Sequence, residues 1–193
     1  MIHLTLLTYV HIIFVTCIVE IPDSVIPASG RGNSEDGKKW QNPSANQLYR
    51  ALKRKNKPID KSDALQVANV HNAVTDNTWS AIIEYESLHS KQCQNITLSR
   101  FQGMDGIYSM KAKLVSMLTG GQLPFDRHDW YVDRCGTEIK YIIDYYSVDD
   151  INPATGELDI AYYIDARPSP NIQGIIDRAR LSIQKYKAGE SVW

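Results

Sequence analysis

The segment LPFDRHDWYVDRCGTEIKYIIDYYS, residues 123–147, decides the fold. After Pro124 the hydrophobic period is two, the signature of strands with one buried face. Residues 128–134 and 137–146 flank Cys135 and Gly136, a pair suited to the tight turn of a hairpin. Pairing centred on that turn sets Trp130 opposite Tyr141, Val132 opposite Ile139 and His128 opposite Ile143, all on one side. The other side carries Asp129, Asp133, Glu138, Lys140 and Asp144 and reads as mostly polar. A third strand is expected over residues 159–166, ending at Arg167 and Pro168.

Around this sheet the period changes to that of helices. Pro43 and Ser44 mark a helix start, with Gln47, Leu48, Ala51 and Leu52 on one face and a basic stretch from Arg50 to Lys57. Ser62 or Asp63 caps a second helix, in which Leu65, Val67, Val70, His71 and Val74 form a stripe. A third amphipathic run follows from Trp79 through Ile82, Ile83 and Glu86. Residues 110–118 form a short helix closed by Gly120 and Gly121. A last helix starts from an Asn171 cap, with Ile172, Ile175, Ile176, Ala179 and Ile183 at helical spacing. The expected class is α+β. N-terminal helices pack on a small antiparallel sheet (hairpin about 128–146 plus strand about 159–166), and a C-terminal helix closes the fold.

The 193 residues are 43% hydrophobic, and 21 basic side chains stand against 22 acidic ones. That balance excludes a basic nucleic-acid coat, an acidic tail and a wholly disordered chain. Residues 2–19 contain no charge, enough to cross a bilayer or to form the apolar part of a signal. No Lys or Arg precedes them, and their histidines, threonines and β-branched residues also fit a buried strand. The boundaries expected are a hydrophobic segment at 1–20, a Pro/Gly/Ser-rich linker at 21–39 and a folded domain at 40–193. Cys17, Cys93 and Cys135 are too few and scattered for a disulfide framework or a zinc ribbon. Cys93 and Cys135 stand as potential redox thiols with no neighbour that lowers their pKa.

His71 is the most informative single residue. A neutral imidazole in an apolar pocket suits axial ligation of haem iron, and equally suits a core histidine bonded to backbone. Asp126, Arg127, His128, Asp129 and Trp130 gather where a loop becomes a strand. That cluster can serve a haem or metal site, a self-paired surface turn, or an Asp/His hydrolase lacking a third ligand. Arg134 and Arg167 suit bidentate carboxylate binding or a surface salt bridge. Trp40 and Trp79 suit ring stacking or the core. His89 suits a helix end. Phosphate loops, GxSxG and HExxH are absent.

Ordered blocks from Trp40 to Pro168 carry a resemblance: WQNPS at 40–44, VHNAVTDNTW at 70–79, YESLH at 85–89 and SRFQG at 99–103. LPFDRHDW at 123–130, RCGTEIKYIIDYYS at 134–147 and IDARP at 164–168 complete it. Over about two-thirds of its length the chain resembles the holocytochrome c synthases, or cytochrome c-type haem lyases. The resemblance implies a lyase that binds haem b as substrate and joins its vinyl groups to the CxxCH cysteines of apocytochrome c. It implies His71 as axial iron ligand, Trp40 and Asp76 as catalytic with it, and Trp79, His128, Trp130 and Arg134 at the haem. The partners implied are apocytochrome c or c1, haem and the intermembrane-space surface of the mitochondrial inner membrane, with no nucleic acid. Asn42 departs from the family's aromatic residue, and no Cys precedes a Pro. A non-catalytic haem-binding or haem-delivery module of the same fold is the alternative.

Overall fold

The computed structural model describes residues 11–14, 24–29, 39–151 and 158–189. Its elements in chain order are β1 (His11–Phe14), α1 (Ala45–Arg54), α2 (Ala64–Ser87), β2 (Ile96–Gly103) and α3 (Met110–Thr119). Then come β3 (Asp126–Arg134), β4 (Thr137–Ile151), β5 (Leu158–Pro168) and α4 (Ile172–Lys187). The class is α+β, as expected. The strands form one antiparallel sheet in the order β1-β5-β4-β3-β2.

The hairpin has the register expected of it: Trp130 pairs with Tyr141, Val132 with Ile139 and His128 with Ile143. Its turn places Cys135 at φ 46° and Gly136 at φ 91°, the left-handed region that a two-residue hairpin requires. The Gly136 amide donates to Asp133 Oδ1 at 2.6 Å. Trp130, Val132, Tyr141 and Ile143 bury against Trp79 and Ile82 of α2, with Leu98 and Ile164 beside them. Most of the 2–19 segment lies outside the described residues, but residues 11–14 pair with β5 as an edge strand. Among the described residues no helix is long and apolar enough to cross a membrane.

Several local readings change. The second and third helical runs are one 24-residue helix, α2, because neither Gly nor Pro interrupts residues 64–87. Its packed side is not the valine stripe. Leu65 is exposed and Val67, Val70 and Val74 are half-buried, while Ala64, Ala68, Asn72, Thr75, Thr78 and Ile82 are buried. Small side chains let the helix lie close to the sheet. The hydroxyls of Thr75 and Thr78 are satisfied by the carbonyls of His71 and Val74, at 2.8 and 2.7 Å.

The stretch read as a linker contributes to the core. Ile26 and Ala28 are buried, Leu98 N donates to Pro27 O, Ser29 N to Leu98 O, and Trp40 N to Ile26 O at 2.8 Å. Residues 24–29 thus form a strap along β2, a strand whose own alternation is broken by a register shift between Leu98 and Arg100.

The polar side of the hairpin is only partly solvated: Glu138 is exposed, but other groups are covered. Asp129 and Asp144 are buried there. Asp144 accepts from Ser109 Oγ and from Arg167, and Arg167 and Lys111 both reach Asp165 at 2.7 Å.

The isoleucine stripe of α4 faces outward. Gly174, Asp177, Leu181 and Lys185 form the packed side instead. A Cβ on Gly174 would sit 2.0 Å from the Ser169 carbonyl oxygen, so only glycine permits this approach. Asp177 receives His89 Nε2 at 2.9 Å, so His89 ties α2 to α4 rather than merely ending a helix.

Finally, Cys93 and Cys135 are joined in a disulfide, with Cα atoms 5.7 Å apart. It ties the segment after α2 to the hairpin turn across 42 residues of chain. Reduction is expected to lower unfolding stability by about 2–4 kcal/mol, the usual contribution of a cross-link closing such a loop. Urea unfolding with and without a thiol reductant measures it; coincident transitions would refute it.

Candidate functional site

α2 supplies His71. The ring is half-buried, and burial lowers its pKa from the ordinary value of 6.5. Asn72 Oδ1 lies 3.3 Å from His71 Nδ1 and opposes that shift. With the amide oxygen accepting, this contact corresponds to the tautomer that carries its proton on Nδ1 and its lone pair on Nε2. His128 lowers and Asp126 raises the same pKa, so β3 brings both groups within electrostatic reach of His71.

β2 and β3 build a stack of rings. Phe101 lies 5.8 Å from His128 with planes 9° apart, 5.7 Å from Trp130 and 5.1 Å from Trp40. The Tyr145 ring meets His128 edge-on at 5.4 Å, its hydroxyl 3.2 Å from Thr78 Oγ1 on α2. His128 Nε2 is 3.3 Å from Asp126 Oδ2. Burial disfavours that carboxylate, but His128, the Arg127 amide and Lys57 together outweigh burial and hold its pKa below the usual range. Gly103 pairs with His128 across the strands. A Cβ there would meet His128 Nε2 at 3.5 Å and Lys55 Nζ at 3.8 Å, ordinary contact distances that place Lys55 near the edge of the ring stack. Lys55, at the end of α1, pairs with Asp105 at 3.2 Å.

The expected site residues divide into three groups. Trp40 and His128 belong to the ring stack, and His71 is coupled to it through His128. Asp76 sits where the strap crosses α2. It accepts from Val25 N and from Ser24 Oγ at 3.5 Å, and burial raises its pKa despite both bonds. Because Ile26 O in turn holds Trp40 N, Asp76 acts on the placement of Trp40 through the strap. The third group is structural: Trp79 is a core residue, Trp130 is a core residue that also stacks on Phe101, and Arg134 is a buried bidentate partner of Glu86 at 2.6 and 2.9 Å. Tyr141 completes that cluster, donating to Glu86 Oε1 at 2.6 Å, with its own pKa raised by burial first and Glu86 second.

Phe101 and Tyr145 were missed by sequence reasoning, while Asn72 opens the segment that the resemblance implied. The signal for Phe101 was its place two residues before Gly103, but it becomes visible only once β2 is known to pair with β3. Among the described residues no group of three or more His, Cys, Asp or Glu side chains is placed to hold a metal ion. The Asp/His hydrolase reading therefore finds no third ligand there.

A half-buried imidazole on α2 within electrostatic reach of His128, and a set of rings on β2 and β3 with Lys55 near its edge, make this the candidate site of the fold. The family model described as cytochrome c/c1 heme lyase matches residues 19–181, and the chain belongs to that family. It is 35% identical to the human holocytochrome c-type synthase over 168 residues, 83% of this chain and 59% of that protein. It is 34% identical to a putative holocytochrome-c1 synthase of Schizosaccharomyces pombe over 151 residues, 78% of this chain and 66% of that one. The Saccharomyces cerevisiae holocytochrome-c synthase is 26% identical over 177 residues, 79% of this chain and 64% of that protein. The chain thus spans less than two-thirds of the length of these relatives. No solved structure matches it.

Proposed function

We propose that this chain is a holocytochrome c synthase, a lyase that takes haem b and apocytochrome c, or c1, as substrates. The observation that carries the reading is the half-buried His71, its pKa lowered by burial and its Nδ1 3.3 Å from Asn72 Oδ1, within electrostatic reach of His128, whose ring stacks with Phe101, itself in contact with Trp40. His71 Nε2 ligates the iron on one side, and the ring stack offers a flat apolar surface to the macrocycle. The histidine of the client's CxxCH segment takes the opposite axial position and so brings its two thiols beside the vinyl groups. Each S–H then adds across a C=C bond, the sulfur bonding one vinyl carbon and the proton going to the other. No redox change is needed in that step. The protein's contribution is proximity and orientation, while the haem supplies the electronics. Lost His71–iron bonding in the product releases it. The place of work is the intermembrane-space surface of the mitochondrial inner membrane.

Co-expression with apocytochrome c in a bacterium lacking its own maturation genes tests this. Covalent haem staining of the cytochrome band is the expected result. Haem bound to this chain beside an unstained cytochrome would mean a delivery module instead.

The depressed pKa of His71 gives a pH dependence with a definite sign. In the unfolded chain this imidazole takes a proton near 6.5, whereas the folded protein resists it. The unfolded state therefore binds more protons below that pH, and stability falls as pH is lowered. His71→Gln is expected to flatten the slope of unfolding free energy between pH 7 and pH 5, roughly the titration range of imidazole. An unchanged slope would show that His71 is not held neutral.

A further inference from the structure

From Arg50 to Lys57 the chain carries Arg50, Lys53, Arg54, Lys55 and Lys57 and no acid. The C-terminal dipole of α1 accounts for Lys53 and Arg54, which stand in its last turn. Lys55 and Lys57 lie beyond that turn, and local geometry decides where they go. Asn56, at φ 55°, ends the helix in the left-handed region. Lys57 N then donates to Leu52 O at 3.0 Å and Asn56 N to Lys53 O at 3.3 Å, the paired bonds of a Schellman turn.

That turn brings both lysines to the edge of the ring stack. Lys55 Nζ and His128 Nε2 lie 3.8 and 3.5 Å from the position of a Cβ on Gly103. Lys57 lines a cleft of about 50 Å³ with Asp105, Tyr108, Phe125, Asp126 and Arg127. Most charges there are already committed. Asp126 pairs with His128 at 3.3 Å and Arg127 with Asp129 at 3.0 Å. Asp105 pairs with Lys55 at 3.2 Å, but both side chains are about half exposed, so that pair opens at little cost. Lys57 acts on Asp126 through space, yet closes no ion pair among the described residues.

Size and shape select the anion. A drug-sized ring system needs a pocket of several hundred Å³, so this cleft admits a carboxylate but not a macrocycle. Next to it Phe101, 39% exposed, offers a flat apolar surface. A ligand with a flat apolar body and carboxylates along one edge meets both features, and haem has that form.

We propose that Lys55 and Lys57 bind the propionate carboxylates of haem, an inference that rests on the synthase reading above. Axial ligation by His71 alone leaves the macrocycle free to rotate about the iron–nitrogen bond. A second anchor at the propionate edge fixes that rotation, and so fixes where the vinyl groups meet the client thiols.

Ferric haem and its dimethyl ester, whose propionates are capped and uncharged, are titrated into the full chain in the same detergent and followed by absorbance. The parent is expected to bind haem about tenfold more tightly than the diester. K55Q with K57Q, on exposed side chains that leave urea unfolding unchanged, lowers haem affinity about tenfold and leaves diester affinity as it was. His71→Ala weakens both porphyrins alike. R50Q with K53Q, the same loss of charge on the same helix, leaves both affinities as in the parent. A parent that binds neither porphyrin overturns the synthase reading and this inference together. Binding that depends on His71 but is equal for haem and diester overturns the inference alone. So does an equal loss for both porphyrins in K55Q with K57Q, which would mean a structural role, or a matching loss in R50Q with K53Q, which would mean an effect of net charge.

Discussion

Replacing His71 with alanine is expected to leave a folded chain that purifies without haem and matures no cytochrome. The ring is half-buried at the margin of α2, so its loss opens no large core cavity, and thermal unfolding stays near that of the parent. What disappears, on the proposed reading, is the nitrogen that ligates iron. Burial lowers the pKa of the imidazole, and Asn72 Oδ1 as acceptor corresponds to a proton on Nδ1. Groups that orient a metal-binding histidine typically contribute about 10–100-fold in affinity, so loss of the histidine itself is expected to exceed that range. Asn72→Ala then falls between parent and His71→Ala, about tenfold weaker in haem binding. Titration of haem followed by its absorbance separates the three proteins. Haem bound normally by His71→Ala would end the reading of the site.

The second large effect concerns stability. Glu86, Arg134 and Tyr141 form a buried cluster joining α2, β3 and β4. Removing one charge leaves the other buried and uncompensated. Arg134→Ala is therefore expected to cost about 3–5 kcal/mol, a large share of the roughly 5–15 kcal/mol that holds a typical domain together. Urea unfolding reads this directly. The combination E86L, R134M and Y141F removes all three polar groups at similar volume and is expected to recover most of the loss. That combination also decides what Arg134 does. If the arginine works through the fold, the recovered protein binds haem like the parent. If it contacts a haem carboxylate, the protein is stable but binds haem weakly.

Short-range order was legible along the chain wherever adjacent residues decide it. The turn at Cys135 and Gly136 with its cross-strand register, the Ser44 and Asn171 caps and the stop at Gly120 all follow from local dihedral preference and alternation. His71, His128 and Trp40 were singled out along the chain, but their proposed roles came from the resemblance and not from periodicity. Periodicity also found the apolar stripes of α2 and α4, but a stripe does not say which side of a helix will be packed. On α4 the approach of Gly174 to the Ser169 carbonyl and the pairing of Asp177 with His89 outweigh burial of the isoleucines. On α2 small threonines and alanines fit the sheet more closely than the valines do.

Contacts between distant residues set the remaining features. The Cys93–Cys135 bond spans 42 residues, Arg134 meets Glu86 across 48, and Asp76 reaches Ser24 across 52. No window along the chain contains both partners of any of these. Alternation and propensity act over a few residues and so specify elements and their ends. Which faces meet, which charges are buried and which rings gather beside His71 depend on how whole elements exclude water together, a property of the packed molecule.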